Sequence, residues 1–142
     1  MEDANSKWFD FSLKAVDRLN SMDGDWQRLS GVEQELAALW KLEADMNNGG
    51  FVQFFCNWGF DCYQFSRRAL NNIQAYDALK IIEKEFAIID AVFARYKNEL
   101  KEYWDIPRYL EEGEIEELNR LDEEFWGYPD DISQLGLGFY KA

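Results

Sequence analysis

Leu79, Ile82, Phe86, Ile89, Phe93, Tyr96, Leu100 and Tyr103 recur at alternating spacings of three and four without a break. A strand repeats every two residues, so this pattern fits a helix and not a strand. Run straight, the seam would be about 37 Å long at 1.5 Å per residue. Ile81, Ile88 and Val92 widen it, so the helix is expected to pack against more than one neighbour. It reads as the central rod of an all-α domain, and a two-stranded coiled-coil dimer is the other use such a seam could have. Ile106-Pro107 supplies its end, because the residue before a proline avoids the α region.

The remaining segments are helical too. Trp8, Phe9, Phe11, Leu13, Val16 and Leu19 form a first apolar segment that ends in Asn20-Ser-Met-Asp-Gly-Asp25. That stretch is a turn and not a calcium loop, because Leu19 and Ser30 stand where liganding oxygens would be needed. Ser30-Gly-Val-Glu33 is a capping box. The helix it opens carries Val32, Leu36, Leu39, Trp40 and Met46 on one face, and Glu43 falls inside that face, about 20° from Leu36. A carboxylate placed there must find partners or shift its pKa. Asn47-Asn-Gly-Gly50 stops the helix. Phe51, Phe54, Phe55 and Trp58 then make a two-turn aromatic face, with Gln53 and Asn57 four apart beside it. A further helix puts Phe65, Ala69, Leu70 and Ile73 on one side. The last strong element spans Arg108 to Trp126, with Leu110, Ile115, Leu118, Leu121 and Phe125 inward. The tail from Ile132 carries Gly136 and Gly138, which leave its structure open. With no linker and no internal repeat, residues 1–142 are expected to form a single compact helical domain around the long rod.

Composition narrows the function. The chain has no His, which removes Ser-His-Asp and Cys-His catalysis and His-ligated metal sites. Cys56 and Cys62 are too few for a disulfide framework and lack zinc spacing. A formal net charge of −13 repels phosphate backbones and anionic lipid, so direct nucleic-acid or membrane binding is disfavoured. No apolar run approaches a membrane span, and the acidic start lacks signal-peptide features, so a reduced, cytoplasmic setting is expected.

The acidity is concentrated. Residues 1–98 hold 15 acids and 11 bases, whereas residues 99–131 hold 13 acids and 3 bases. On a wheel, Ile115, Leu118, Leu121 and Phe125 point one way and Glu116, Glu117, Glu123 and Glu124 the other, with Arg120 the base among them. Glu111, Glu112 and Glu114 extend this ridge towards the N-terminus, where the helix dipole favours anions. The ridge is either a solvated face that keeps the protein soluble or a surface for a basic partner. Asp122 lies on the inward arc and is expected to bond a backbone end or a base such as Arg67 or Arg68.

Carboxylates alone can run glycoside hydrolysis or magnesium chemistry, and Glu43, Asp45 and Asp122 are the candidates. No phosphate-binding loop, nucleophile elbow or paired-helix carboxylate spacing accompanies them, and Cys56 reads as a small core residue. The expectation is a protein without enzymatic activity, cofactor or metal.

Leu39-Trp-Lys-Leu-Glu-Ala-Asp-Met-Asn-Asn-Gly-Gly-Phe-Val-Gln-Phe-Phe-Cys-Asn57 resembles the signature of the bacterial nineteen-kilodalton DNA-mimic protein family, a domain group long labelled as of unknown function. The matching positions are Glu43, Asn48, Gly49, Gly50, Phe51, Gln53, Phe54, Phe55 and Asn57. Ala69, Leu70, Ile73 and Ala75, then Leu118, Leu121, Asp122 and Phe125, fall where the family has them. Gln74 departs from the Gly expected there. The resemblance covers about residues 30–132. It implies a compact all-α fold, often a homodimer, without known catalysis. It also implies surface carboxylates that imitate DNA phosphates and occupy a DNA-binding protein, such as a factor in transcription regulation. An immunity-type inhibitor of a basic toxin or nuclease is the alternative. The signature itself reads as a structural junction, with Glu43, Gln53 and Asn57 expected to satisfy polar groups beneath the glycine turn.

Overall fold

Asp3 opens the first helix, its carboxylate accepting the Ser6 N–H at 2.8 Å. In this computed structural model, which describes residues 3–141, that helix is α1, Ala4–Ser21. A turn with Asp23 and Gly24 at positive φ and a short 3-10 turn, Trp26–Arg28, lead to α2, Gly31–Asn48. The capping box is formed as expected: Glu33 N–H reaches Ser30 Oγ at 3.1 Å and Ser30 N–H reaches Glu33 Oε1 at 2.9 Å.

α3 runs Phe51–Asn72 and breaks at Gly59 (φ 78°), so the two expected helices meet there without a loop. A Cβ at Gly59 would stand 2.6 Å from the Tyr103 ring, which is why the break carries no side chain. The chain continues through α4, Tyr76–Arg95, a 3-10 helix, Tyr103–Arg108, α5, Glu112–Trp126, and α6, Ile132–Tyr140. The fold is all-α, with no strand among the described residues.

The expected rod is shorter than its seam. α4 ends at Arg95, and the Glu99 and Leu100 N–H groups both return to Tyr96 O, at 2.9 and 2.8 Å. Aromatic packing explains the turn. Phe55 lies 5.0 Å from Tyr103 and 6.4 Å from Phe93, ring centroid to centroid, and Phe93 lies 5.9 Å from Tyr103. On a straight helix Phe93 and Tyr103 would stand about 15 Å apart, so both can close on Phe55 only if the chain folds back. The central position belongs to α2, which packs against α1, α3 and α5. Its Ala37, Ala38, Leu39, Leu42 and Met46 are fully buried, as are Phe51 and Phe54 at the start of α3.

The last strong helix also starts later than expected, at Glu112, because Tyr103–Arg108, including Pro107, is 3-10. Ile115 is 42% exposed: it lies in the first turn of α5, ahead of the buried contacts of Leu118, Leu121 and Phe125. The tail proves helical. α6 packs on α1, with the Trp8 ring 2.5 Å from where a Gly136 Cβ would be, so only glycine admits that contact.

The Asn-Gly-Gly-Phe junction and the acidic ridge

Two backbone N–H groups at the end of α2, those of Gly49 and Gly50, return to Asp45 O at 2.8 and 2.9 Å. The Asp45 side chain then accepts from the first two turns of α3. Gln53 Nε2 donates to Oδ1 at 2.8 Å, Trp58 Nε1 to Oδ2 at 2.7 Å, and Asn57 Nδ2 to Oδ1 at 3.3 Å. Lys41, one turn earlier on α2, lies over the Trp58 ring at 3.4 Å. Asp45 is therefore the hub of the junction, and Gln53 and Asn57 share it rather than each other.

Glu43 was expected beneath the same turn, but it faces the other way. Its Oε2 accepts the Trp8 indole N–H at 2.8 Å, and the Tyr128 hydroxyl stands 3.5 Å from Oε1. Burial lifts its pKa to about 7.

Asp122 reaches across from α5. Its Oδ1 accepts the Phe51 N–H at 3.1 Å, so a carboxylate from a distant helix caps the N-terminus of α3. The expected backbone end is the one it uses, while Arg67 and Arg68 pair elsewhere, with Glu83 and Glu35. Gly50 sits at φ 96°, and a Cβ there would be 2.2 Å from Asp122 Oδ2. Beneath Asp122 lies Glu85, fully buried, with no N–H or hydroxyl donor on either oxygen. Burial and the neighbouring Asp122 push its pKa to about 11, so it is a carboxylic acid whose proton serves the Asp122 carboxylate.

The three carboxylates considered for catalysis thus have separate environments. Glu43 faces Trp8 and Tyr128, Asp45 holds the α3 amides, and Asp122 caps Phe51. Cys56 is half-buried with its thiol 3.1 Å from Tyr103 O, and burial raises its pKa, away from nucleophilic character. Among the described residues, no three His, Cys, Asp or Glu side chains are grouped as metal ligands.

Sequence reasoning missed Asp45 as the hub and missed Glu85 and Glu35. Glu85 carried a readable signal, since it stands four residues from both Ile81 and Ile89 inside the α4 seam. Glu35 is likewise enclosed, accepting Arg68 Nε at 2.7 Å, the Tyr140 hydroxyl at 2.8 Å and Asn72 Nδ2 at 3.1 Å. Its partners lie on α3 and α6, and no local pattern announces them.

The chain belongs to the DMP19-like protein family. The family model matches residues 27–141, from the 3-10 turn after α1 to the end of α6. No curated protein and no solved structure matches the chain.

On the ridge, the structure divides the DMP19-like chain's seven outward glutamates. Glu111 and Glu114 form a capping box at the start of α5, and Glu114 also takes the Arg95 guanidinium through two bonds of 2.9 and 2.7 Å. That pairing holds the Glu114 carboxyl below the usual range. Arg120 bridges Glu117 and Glu124 along the helix. Glu112, Glu116 and Glu123 are exposed and take part in no ion pair found among the described residues. At 100° per residue these three fall within about 40° of one another, spaced about 6 and 10 Å along the axis. No helix among the described residues is long and apolar enough to cross a membrane.

Proposed function

We propose that this DMP19-like protein is a non-enzymatic, cytoplasmic binding protein whose acidic ridge occupies the basic surface of a DNA-binding protein, as a mimic of DNA phosphates. The observation that carries the reading is the line of Glu112, Glu116 and Glu123, exposed and in no ion pair among the described residues, on a helix anchored by Leu118, Leu121 and Phe125. Arg95 offsets Glu114 and the single charge of Arg120 is shared by Glu117 and Glu124, so most of the uncompensated charge on this face sits on Glu112, Glu116 and Glu123. Such a ridge steers association and loses strength as salt screens it.

The test compares wild type with the triple variant Glu112→Gln, Glu116→Gln, Glu123→Gln as bait for host proteins at low salt, with elution by rising salt. The expected result is a basic DNA-binding protein retained by wild type only, and displaced from it by duplex DNA. Capture by both baits, or retention that duplex DNA does not compete, would refute the mimicry. A retained toxic enzyme, rather than a transcription or nucleoid factor, would assign the ridge to toxin neutralisation.

A further inference from the structure

Glu43 forms part of the wall of a cleft of about 620 Å³ between α1, α2 and the segment joining α5 to α6. The walls are aromatic: Trp8, Phe9, Trp40 and Tyr128. Phe9 and Tyr128 are 50% and 39% exposed, and the Phe9 and Trp40 rings stand 5.7 Å apart. The buried Trp40 indole N–H has no hydrogen-bond partner. Two acids line the cleft, Glu43 and Asp131, and no Lys or Arg does among the described residues.

The groups that face Glu43 are few. α1 offers the Trp8 indole, the α5–α6 segment offers the Tyr128 hydroxyl and the Asp131 carboxylate, and α2 itself offers Asn47, which donates to Tyr128 Oη at 3.0 Å. None is cationic. Asp131 keeps one oxygen on Gln134 N–H at 3.2 Å as the cap of α6. A half-enclosed carboxyl with a second acid nearby, aromatic faces around it and no counter-ion is electrostatically incomplete. Aromatic faces attract cations, and a guanidinium or ammonium on an alkyl stem presents both a charge and an apolar body.

We propose that this cleft is a binding site for an alkylguanidinium or alkylammonium group, held by Glu43 and Asp131 between the aromatic rings. The site does not depend on the acidic ridge. The cation binds the ionised form of Glu43, so binding releases a proton from the fraction of protein in which that carboxyl is protonated.

The probes are n-butylguanidinium and n-butylammonium, with n-butylurea as the neutral isostere, measured by calorimetry and tryptophan emission. The expected result is cation binding about ten-fold tighter at pH 8 than at pH 6, set by a group titrating near 7. Glu43→Gln, which keeps an acceptor for Trp8, should weaken binding at least ten-fold and abolish that pH dependence. Asp131→Asn, which keeps the helix cap, should weaken it less, and the triple ridge variant should bind as wild type does. Equal binding of butylurea, unchanged affinity in Glu43→Gln, or no binding at millimolar cation overturns the proposal. A capped arginine tripeptide separates two sources of the same chemistry. If it binds like butylguanidinium, the cleft admits a protein side chain; if only the small cations bind, it takes a free amine.

Discussion

Replacing Glu85 by Gln should make the protein more stable at neutral pH, by an amount that grows with pH. In the fold this carboxyl keeps its proton, with a pKa near 11 against an ordinary value near 4.5. The unfolded chain loses that proton above pH 4.5, so folding at higher pH must take a proton up. Because the folded-state pKa is raised, the residue's contribution is most favourable below pH 4.5 and is lost steadily as pH climbs towards 11. At 1.36 kcal/mol per pH unit, the loss amounts to about 3 kcal/mol at pH 7 and about 1 kcal/mol at pH 5. Glutamine has nearly the same shape, cannot ionise in either state, and still offers an N–H to Asp122. The assay is urea unfolding followed by tryptophan emission, wild type against Glu85→Gln, at several pH values from 5 to 8. The stability difference should widen in favour of the variant by about 2.5 kcal/mol over two pH units from pH 5 to 7. That is a large share of the 5–15 kcal/mol typical of a domain. A difference that stays flat with pH would mean that Glu85 ionises normally in the fold, and the account of the Glu85–Asp122 pair would be wrong.

Other sites give sharper local tests. Gly50→Ala puts a Cβ at φ 96° and against Asp122 Oδ2, and should cost about 3 kcal/mol or more, read by thermal or urea unfolding. Gln74→Gly should do the reverse, stabilising by about 1 kcal/mol in the same assay, because Gln74 is held at φ 65° on an exposed turn. Trp8 donates to Glu43, so the emission difference between wild type and Glu43→Gln should titrate with a midpoint near pH 7, and a featureless difference from pH 5 to 9 would contradict it.

What the sequence made legible is what local chemistry decides. The Ser30 capping box, the Asn47–Gly50 stop and the aromatic face opening at Phe51 each need only a few neighbouring residues, and each stands where expected. The inward position of Asp122 followed from helical geometry alone. Gln74 stood out as a departure from glycine, and its positive φ supplies the reason glycine suits that turn. The seam from Leu79 to Tyr103 shows the limit. Periodicity reports which residues bury, and Ile82, Ile89 and Leu100 do, but it does not report whether the chain between them stays straight. Phe93 and Tyr103 both pack on Phe55, which only a fold-back allows. The same limit hid Arg95 as the partner of Glu114, because the two lie on different helices. That pairing takes Glu114 out of the glutamates left open on the ridge.

The signature residues and the ridge answer to different constraints. Asp45 accepts from Gln53, Asn57 and Trp58 within the junction, and Asp122 and Gly50 close the contact between α5 and α3. The Asp45 carboxylate already accepts from three side chains and has little left for a partner. What the signature does is fix where α5 lies, because Asp122 can cap Phe51 only with that helix seated on the junction. Glu112, Glu116 and Glu123 inherit their position from that seating and contribute nothing to it. A chain could therefore keep the whole signature and the fold while its ridge changed charge freely. The family signature accounts for the fold, and the binding proposed for the ridge rests on Glu112, Glu116 and Glu123.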